Sequence, residues 1–159
     1  MIPPRRMRPA ALSSAAIVLA LGAAGCLGGG GSSSAKPALT RAQYVSAAGA
    51  ICRHYQGQIA ALKPTTNLAL LADQGAKAVA LERAELKQLR KLEPPSADAV
   101  TIGRLLDAVD SATVAGDALV AAARSHNTAA VAAAVAVLRG RLAEANRLAK
   151  PYGLDICVR

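Results

Sequence analysis

The chain has 159 residues, enough for one ordinary domain, with a formal net charge of +9 and about a quarter of its residues alanine. Aromatic residues make up 2%, three Tyr with no Phe and no Trp, which excludes a large aromatic-lined cleft and any nucleic-acid module that stacks bases on aromatic rings. Hydrophobic residues at 53% against charged residues at 18% exclude intrinsic disorder of the whole chain.

Residues 1–25 have the three zones of a secretory signal peptide. Arg5, Arg6 and Arg8 form a basic n-region, Ala10 to Ala24 is an uncharged apolar h-region, and small residues follow. Ser13 and Ser14 interrupt the apolar run early, and Gly28 to Gly31 with Ser32 to Ser34 end it. The run is therefore shorter than the roughly 20 apolar residues of a spanning helix. Its end, Leu21-Gly22-Ala23-Ala24-Gly25-Cys26, resembles the lipobox of bacterial lipoproteins, with Ala23 where Leu is commonest. The resemblance implies a diacylglyceryl group on the Cys26 thiol and cleavage just before it. Two or more acyl chains hold a protein stably at a bilayer. Residues 26–39 then form a lipidated cysteine and a Gly/Ser tether with a typical reach of about 20 Å. Residues 40–159 form the domain, expected at the cell membrane on its extracytoplasmic side. Losing the three signal arginines leaves 16 basic against 10 acidic residues, a net +6. A patch of that charge suits docking on anionic headgroups, but the basic residues are scattered, and 13 Arg to 6 Lys fits a GC-rich coding sequence better.

The domain reads as four helices. Thr40 is an N-cap with Gln43 in capping-box position, and the first helix runs to about Leu62, with Val45, Ala48, Cys52, Tyr55, Ile59 and Leu62 on a heptad seam. The second runs from about Asn67 to Leu92 and turns Leu68, Ala72, Gly75, Val79, Leu86 and Leu89 inward. Its outer face is expected to carry Glu82, Glu85, Lys87, Arg90 and Lys91. Ser96 is the expected cap of a third helix, with Ile102, Leu105, Val109, Ala112, Gly116, Leu119 and Ala123 inward. After a turn at Ser125-His126-Asn127 the fourth runs from about Thr128 to Ala149, with Val131, Val135, Leu138, Leu142, Ala145 and Ala149 inward. Four such helices with short connections imply an all-α, antiparallel four-helix bundle.

Cys52 and Cys157 belong to no CxxC and no Cys/His cluster, so no metal site or redox motif is implied. In an exported protein an even pair is expected to be joined, which would tie the C-terminal tail to the first helix. The tail from Pro151 to Cys157 must fold back to make the bond, and seven extended residues reach up to about 23 Å. His54 and His126 read as outward and in a turn, and Asp107, Asp110 and Asp117 as a solvated face. Tyr44 and Tyr55, three helical turns apart, are candidate walls of an apolar groove, although such residues are more often the edge of a core. No nucleophile–base pair, no phosphate-binding glycine loop and no metal set occurs, so no catalytic residue and no cofactor are assigned.

YVSAAGAIC over Tyr44 to Cys52, a Pro-Pro break and a closing Tyr152-Gly153-Leu154-Asp155-Ile156-Cys157 resemble a group of small exported helical proteins and lipoproteins of high-GC Gram-positive bacteria, over residues 38 to 157. In that group an early helix-1 cysteine accompanies a last cysteine after Gly-Leu, which supports the Cys52–Cys157 bridge. The group carries no established activity. The favoured expectation is a non-enzymatic surface lipoprotein, a helical binding or interaction module touching the membrane through Cys26 and an unidentified envelope protein, with neither nucleic acid nor metal as partner. The alternative is a carrier of a small apolar ligand, a lipid or acyl chain, between the helices.

Overall fold

A computed structural model describes residues 37–158, so the expected signal peptide, Cys26 and most of the tether lie outside the described residues. The helices are α1 (Arg41–Ala60), α2 (Leu68–Leu89), α3 (Ala99–Arg124) and α4 (Thr128–Ala149), followed by two three-residue 3-10 turns, Lys150–Tyr152 and Asp155–Cys157. The expected all-α class is found.

Three of the four helices start on side-chain caps that the sequence carries. The Thr40 hydroxyl accepts from the Gln43 N–H at 3.3 Å while the Gln43 carboxamide accepts from the Thr40 N–H at 2.9 Å, closing the capping box. Asn67 and Asn127 cap α2 and α4, their side-chain oxygens accepting from Leu70 N–H at 3.1 Å and Ala130 N–H at 2.9 Å. The third start departs from expectation. Ser96 lies in a turn closed by the Asp98 N–H donating to Pro95 O at 2.9 Å, and α3 begins after Asp98 instead. Asp98 does not cap with its side chain. Its carboxylate is turned to the C-terminal tail, where it accepts from the Tyr152 hydroxyl at 3.1 Å. The helices α1 and α2 also end two and three residues before Leu62 and Leu92. The residues before Pro64 and Pro94 unwind because proline disfavours helical geometry in the residue that precedes it.

Packing follows small residues. A Cβ added to Gly116 would stand 2.9 Å from Val79 Cγ2, and one added to Gly75 would stand 3.0 Å from Val120 Cγ2. Rising numbers on α2 meet falling numbers on α3, so the pair is antiparallel, and each valine fills the space its partner glycine leaves. The packing runs α1 on α2, α2 on α3 and α3 on α4, while α1 and α4 scarcely touch. The tail occupies the gap between them. This explains why Val131, Val135, Leu138 and Leu142, expected inward on α4, are only half-buried, whereas Ala145 and Ala149 beside the tail are fully covered.

The tail is turned back by local chemistry. Gly153 takes a left-handed conformation (φ 66°), Gly153 N–H donates to Lys150 O at 3.0 Å and Leu154 N–H to Ala149 O at 3.2 Å, the pattern that ends a helix and reverses the chain. The Arg41 guanidinium sits 4.5 Å over the Tyr152 ring and donates to Pro151 O at 3.4 Å. Leu154, Cys157 and Val158 then enter the core beside Tyr44, Ala48, Cys52, Leu89, Ile102 and Leu105. Cys157 is bonded to Cys52 with the Cα atoms 4.9 Å apart, so the expected tie between tail and first helix is present.

Three outcomes follow for stability. Gly116→Leu overpacks the seam and is expected to cost about 1–3 kcal/mol in urea unfolding. Gly140→Ala, in α4 where an added Cβ meets nothing within 4 Å, is expected to gain roughly 0.5–1 kcal/mol. Breaking the bridge with Cys157→Ser is expected to lower stability by about 2–5 kcal/mol, read in the same unfolding curves.

Candidate functional site

The site grows out of the position of α2. Lying between α1 and α3, it is covered on two faces. Its Gly75, Val79 and Leu86 face serves the bundle core, and the face turned to α1 carries Glu85. That carboxylate accepts from Gln56 Nε2 at 3.1 Å, and the residue is 2% exposed. The expectation of Glu82 and Glu85 on a solvated outer face is therefore corrected. Glu85 is buried and Glu82 half-buried, because a helix in the middle of the row has less solvent face than a one-sided amphipathic pattern assigns it.

Glu85 adjoins the bridge. One of its carboxylate oxygens and the sulfurs of Cys52 and Cys157 lie within 4.8 Å of one another. Its Oε1 is buried with no hydrogen-bond partner. Beside it is a cavity of about 10 Å³ lined by Gln56, Glu82, Glu85, Val109, Ala112, Leu142, Cys157 and Val158, room for about one water molecule. On the far side of the cluster the Thr113 hydroxyl donates to Val109 O at 3.0 Å and lies 3.4 Å from Glu82 Oε2.

Burial sets the proton affinities. Loss of water raises the Glu85 carboxyl to about 8; the Gln56 hydrogen bond opposes the rise and the neighbouring Glu82 charge adds to it. Glu82 is raised as well, again chiefly by burial, with Thr113 opposing. At neutral pH Glu85 is therefore mostly a neutral acid, able to donate a proton. The Cys52–Glu85–Cys157 trio has the residue types of a metal centre, but with the sulfurs bonded to each other it offers no thiolate to an ion.

The other candidate residues fall in several places. Cys26 lies outside the described residues. Tyr44 does not wall a groove; at 2% exposed it is a core residue, its hydroxyl pushed up to about 12 by burial and by nearby Tyr152. Tyr55 is half-buried and edge-on to His54, with ring centroids 5.0 Å apart. The two tyrosines share a helix stripe, but only Tyr44 is fully covered, in the core cluster that Leu154, Cys157 and Val158 of the tail join. His126 sits in the α3–α4 turn with φ 53°. Asp107 and Asp110 are both engaged by Arg90, at 3.4 and 3.2 Å, and Asp117 by Arg83. Sequence reasoning missed Glu85 itself. The signal available was its place seven residues after Ala78 and four before Leu89, on the flank of the apolar stripe.

The titration has a definite sign. The folded pKa of Glu85 lies above its unfolded value, so its contribution is fully present below about pH 4.5 and is lost as pH rises through about 8. Urea unfolding is expected to show a protein less stable at pH 9 than at pH 5. Glu85→Gln should flatten that difference and exceed the wild type at pH 9 by a few kcal/mol, on the order set by a shift of several pKa units.

No curated protein and no solved structure matches the chain. A family model does match, over residues 31–158 and so across every described element, and the chain belongs to that family, the family of unknown function DUF6417.

Proposed function

We propose that the chain is an extracytoplasmic lipoprotein, held at the membrane by lipid on Cys26, whose helical domain is a non-enzymatic interaction module. The observation that carries this reading is the Cys52–Cys157 bridge. Disulfides persist in oxidising compartments outside the cytoplasm, and a bonded pair that closes the domain agrees with the signal-peptide pattern and lipobox before it. Among the described residues no helix is long and apolar enough to cross a membrane, so within them attachment has no protein span to rely on, and the cysteine after Gly25 supplies the route.

The carrier alternative has less support. The cavity inside the helices takes about one water, far short of an acyl chain, and the glycine–valine seam between α2 and α3 leaves no second channel there. An interaction role fits a rigid domain on a short leash. Its exposed apolar side chains Leu70, Val100, Val114 and Val137 lie on three different helices.

The reading is tested by fractionation in the native host. Cys26→Ser is expected to move the protein from the membrane fraction to the medium, and the wild-type protein recovered from membranes is expected to show no free thiol. Unchanged partitioning would refute the anchor, and two titratable thiols would refute the bridge as the resting state of the pair.

A further inference from the structure

A buried acid with an unpartnered oxygen next to a disulfide is costly. A disulfide sulfur donates no hydrogen bond and accepts one poorly, so the Glu85 carboxyl, with one oxygen unpartnered, gains nothing from the bonded pair. Reduction changes this. Two S–H donors would then lie within 4.8 Å of a carboxylate oxygen, a separation that a small shift of the tail closes. The arrangement suits the reduced pair and the passage to it better than the resting bond.

We propose that Cys52–Cys157 is a thiol–disulfide exchange site for a small dithiol, with Glu85 as the acid that protonates the leaving sulfur. Cys157 is the sulfur attacked. It stands on a tail of two three-residue turns and is 7% exposed, whereas Cys52 lies within α1 at 0%. Tail turns open locally at lower cost than the bundle core. An open cleft of about 370 Å³, lined by Arg53, Gln56, Gly57, Ile59 and Ala60 of α1 and by Ile156 of the tail, includes a sequence neighbour of each cysteine, Arg53 and Ile156. It has room for a small dithiol and a guanidinium to attract its thiolate.

The step balances. One thiolate of the dithiol attacks Cys157 Sγ, forming a mixed disulfide and breaking the Cys157–Cys52 bond, whose electron pair goes to Cys52 Sγ. A bare thiolate there would be buried and unsolvated, so its formation is assisted by the Glu85 proton. Cys52 becomes a thiol and Glu85 a carboxylate. The second thiolate of the dithiol then closes on its own mixed-disulfide sulfur and expels Cys157 as thiolate, which takes a proton from water. The protein disulfide is reduced, the dithiol is oxidised to a cyclic disulfide, and Glu85 regains its proton from solvent through the water-sized cavity.

The cavity beside Glu85 is lined by Gln56 on α1, Glu82 on its own helix, Val109 and Ala112 on α3, Leu142 on α4, and Cys157 and Val158 on the tail, and Cys52 on α1 also lies against the acid. Glu82 is the one other ionisable group of that set outside the bridge. The test uses the full chain in detergent, reduced by dithiothreitol from pH 6 to 9, with rate constants expressed per dithiothreitol thiolate. The wild-type rate constant is expected to fall through about pH 8 as the acid is lost. Glu85→Gln is expected to be roughly tenfold or more slower at pH 7 and flat with pH, while Glu144→Gln, an exposed acid on α4, should match wild type. Ionising Glu85 also loosens the fold, which speeds reduction by itself, so each rate constant is further divided by the opening constant of the tail turns, read from amide hydrogen exchange at the same pH. A purely structural Glu85 then leaves the corrected wild-type rate flat. A corrected wild-type rate that does not fall through about pH 8, or a Glu85→Gln variant equal to wild type after the same correction, would overturn the proposal. It stands independently of the membrane anchor, since neither outcome involves Cys26.

Discussion

Everything in the domain depends on how the gap between its first and last helices is filled. Alanine-rich helices with no Phe or Trp approach each other closely in pairs, but they lack the side-chain bulk to close a ring of four. The row α1, α2, α3, α4 therefore stays open between its ends, and the tail closes it. A tail of two short turns has little cohesion of its own, since neither turn is long enough to be stable alone. Arg41, Asp98 and Tyr152 fix where it starts, and the bond to Cys52 fixes where it finishes. The bond spans a sequence separation of 105, for which the chain-entropy model gives stabilisation approaching 5 kcal/mol. For a domain this poor in large core side chains that is comparable with its expected net stability.

The same composition explains the placement of the acid. Close approach of α2 and α3 through Gly75–Val120 and Val79–Gly116 draws α2 deep between its neighbours, and α1 covers its other flank. A residue on that flank must accept burial whatever its polarity. Gln56 supplies one hydrogen bond to Glu85, and Thr113 lies near Glu82, so the polar inclusion is half satisfied and lies against the bridge.

Much of the architecture was legible because it rests on local rules. The capping box at Thr40, the heptad seams and the proline stops are short-range chemistry, and the even cysteine pair after a signal-like segment reads as a bridge from compartment alone. What was illegible depended on neighbours that no local pattern names. Ser96 and Asp98 are equal as caps on type, yet Asp98 takes the position while its carboxylate serves Tyr152, more than fifty residues on. Glu85 looked solvated because a one-sided helical pattern cannot show that a second helix lies on the polar flank. The α4 stripe looked fully inward because the sequence does not show that α1 stands apart from it.

Glu85 links three properties that are usually separate. Its proton affinity is set by burial, burial is completed by the tail, and the tail is held by the bond whose sulfurs Glu85 faces. Coupled equilibria of this kind are reciprocal. If ionising Glu85 weakens the closed domain, then closing the domain must raise the affinity of Glu85 for its proton, which is the direction its burial gives. If thiol donors favour the carboxylate, then the carboxylate must favour the thiols by the same factor. A leucine at this position would remove the desolvation cost and leave the bridge as a plain staple. The acid there makes the closure of the ring depend on a proton.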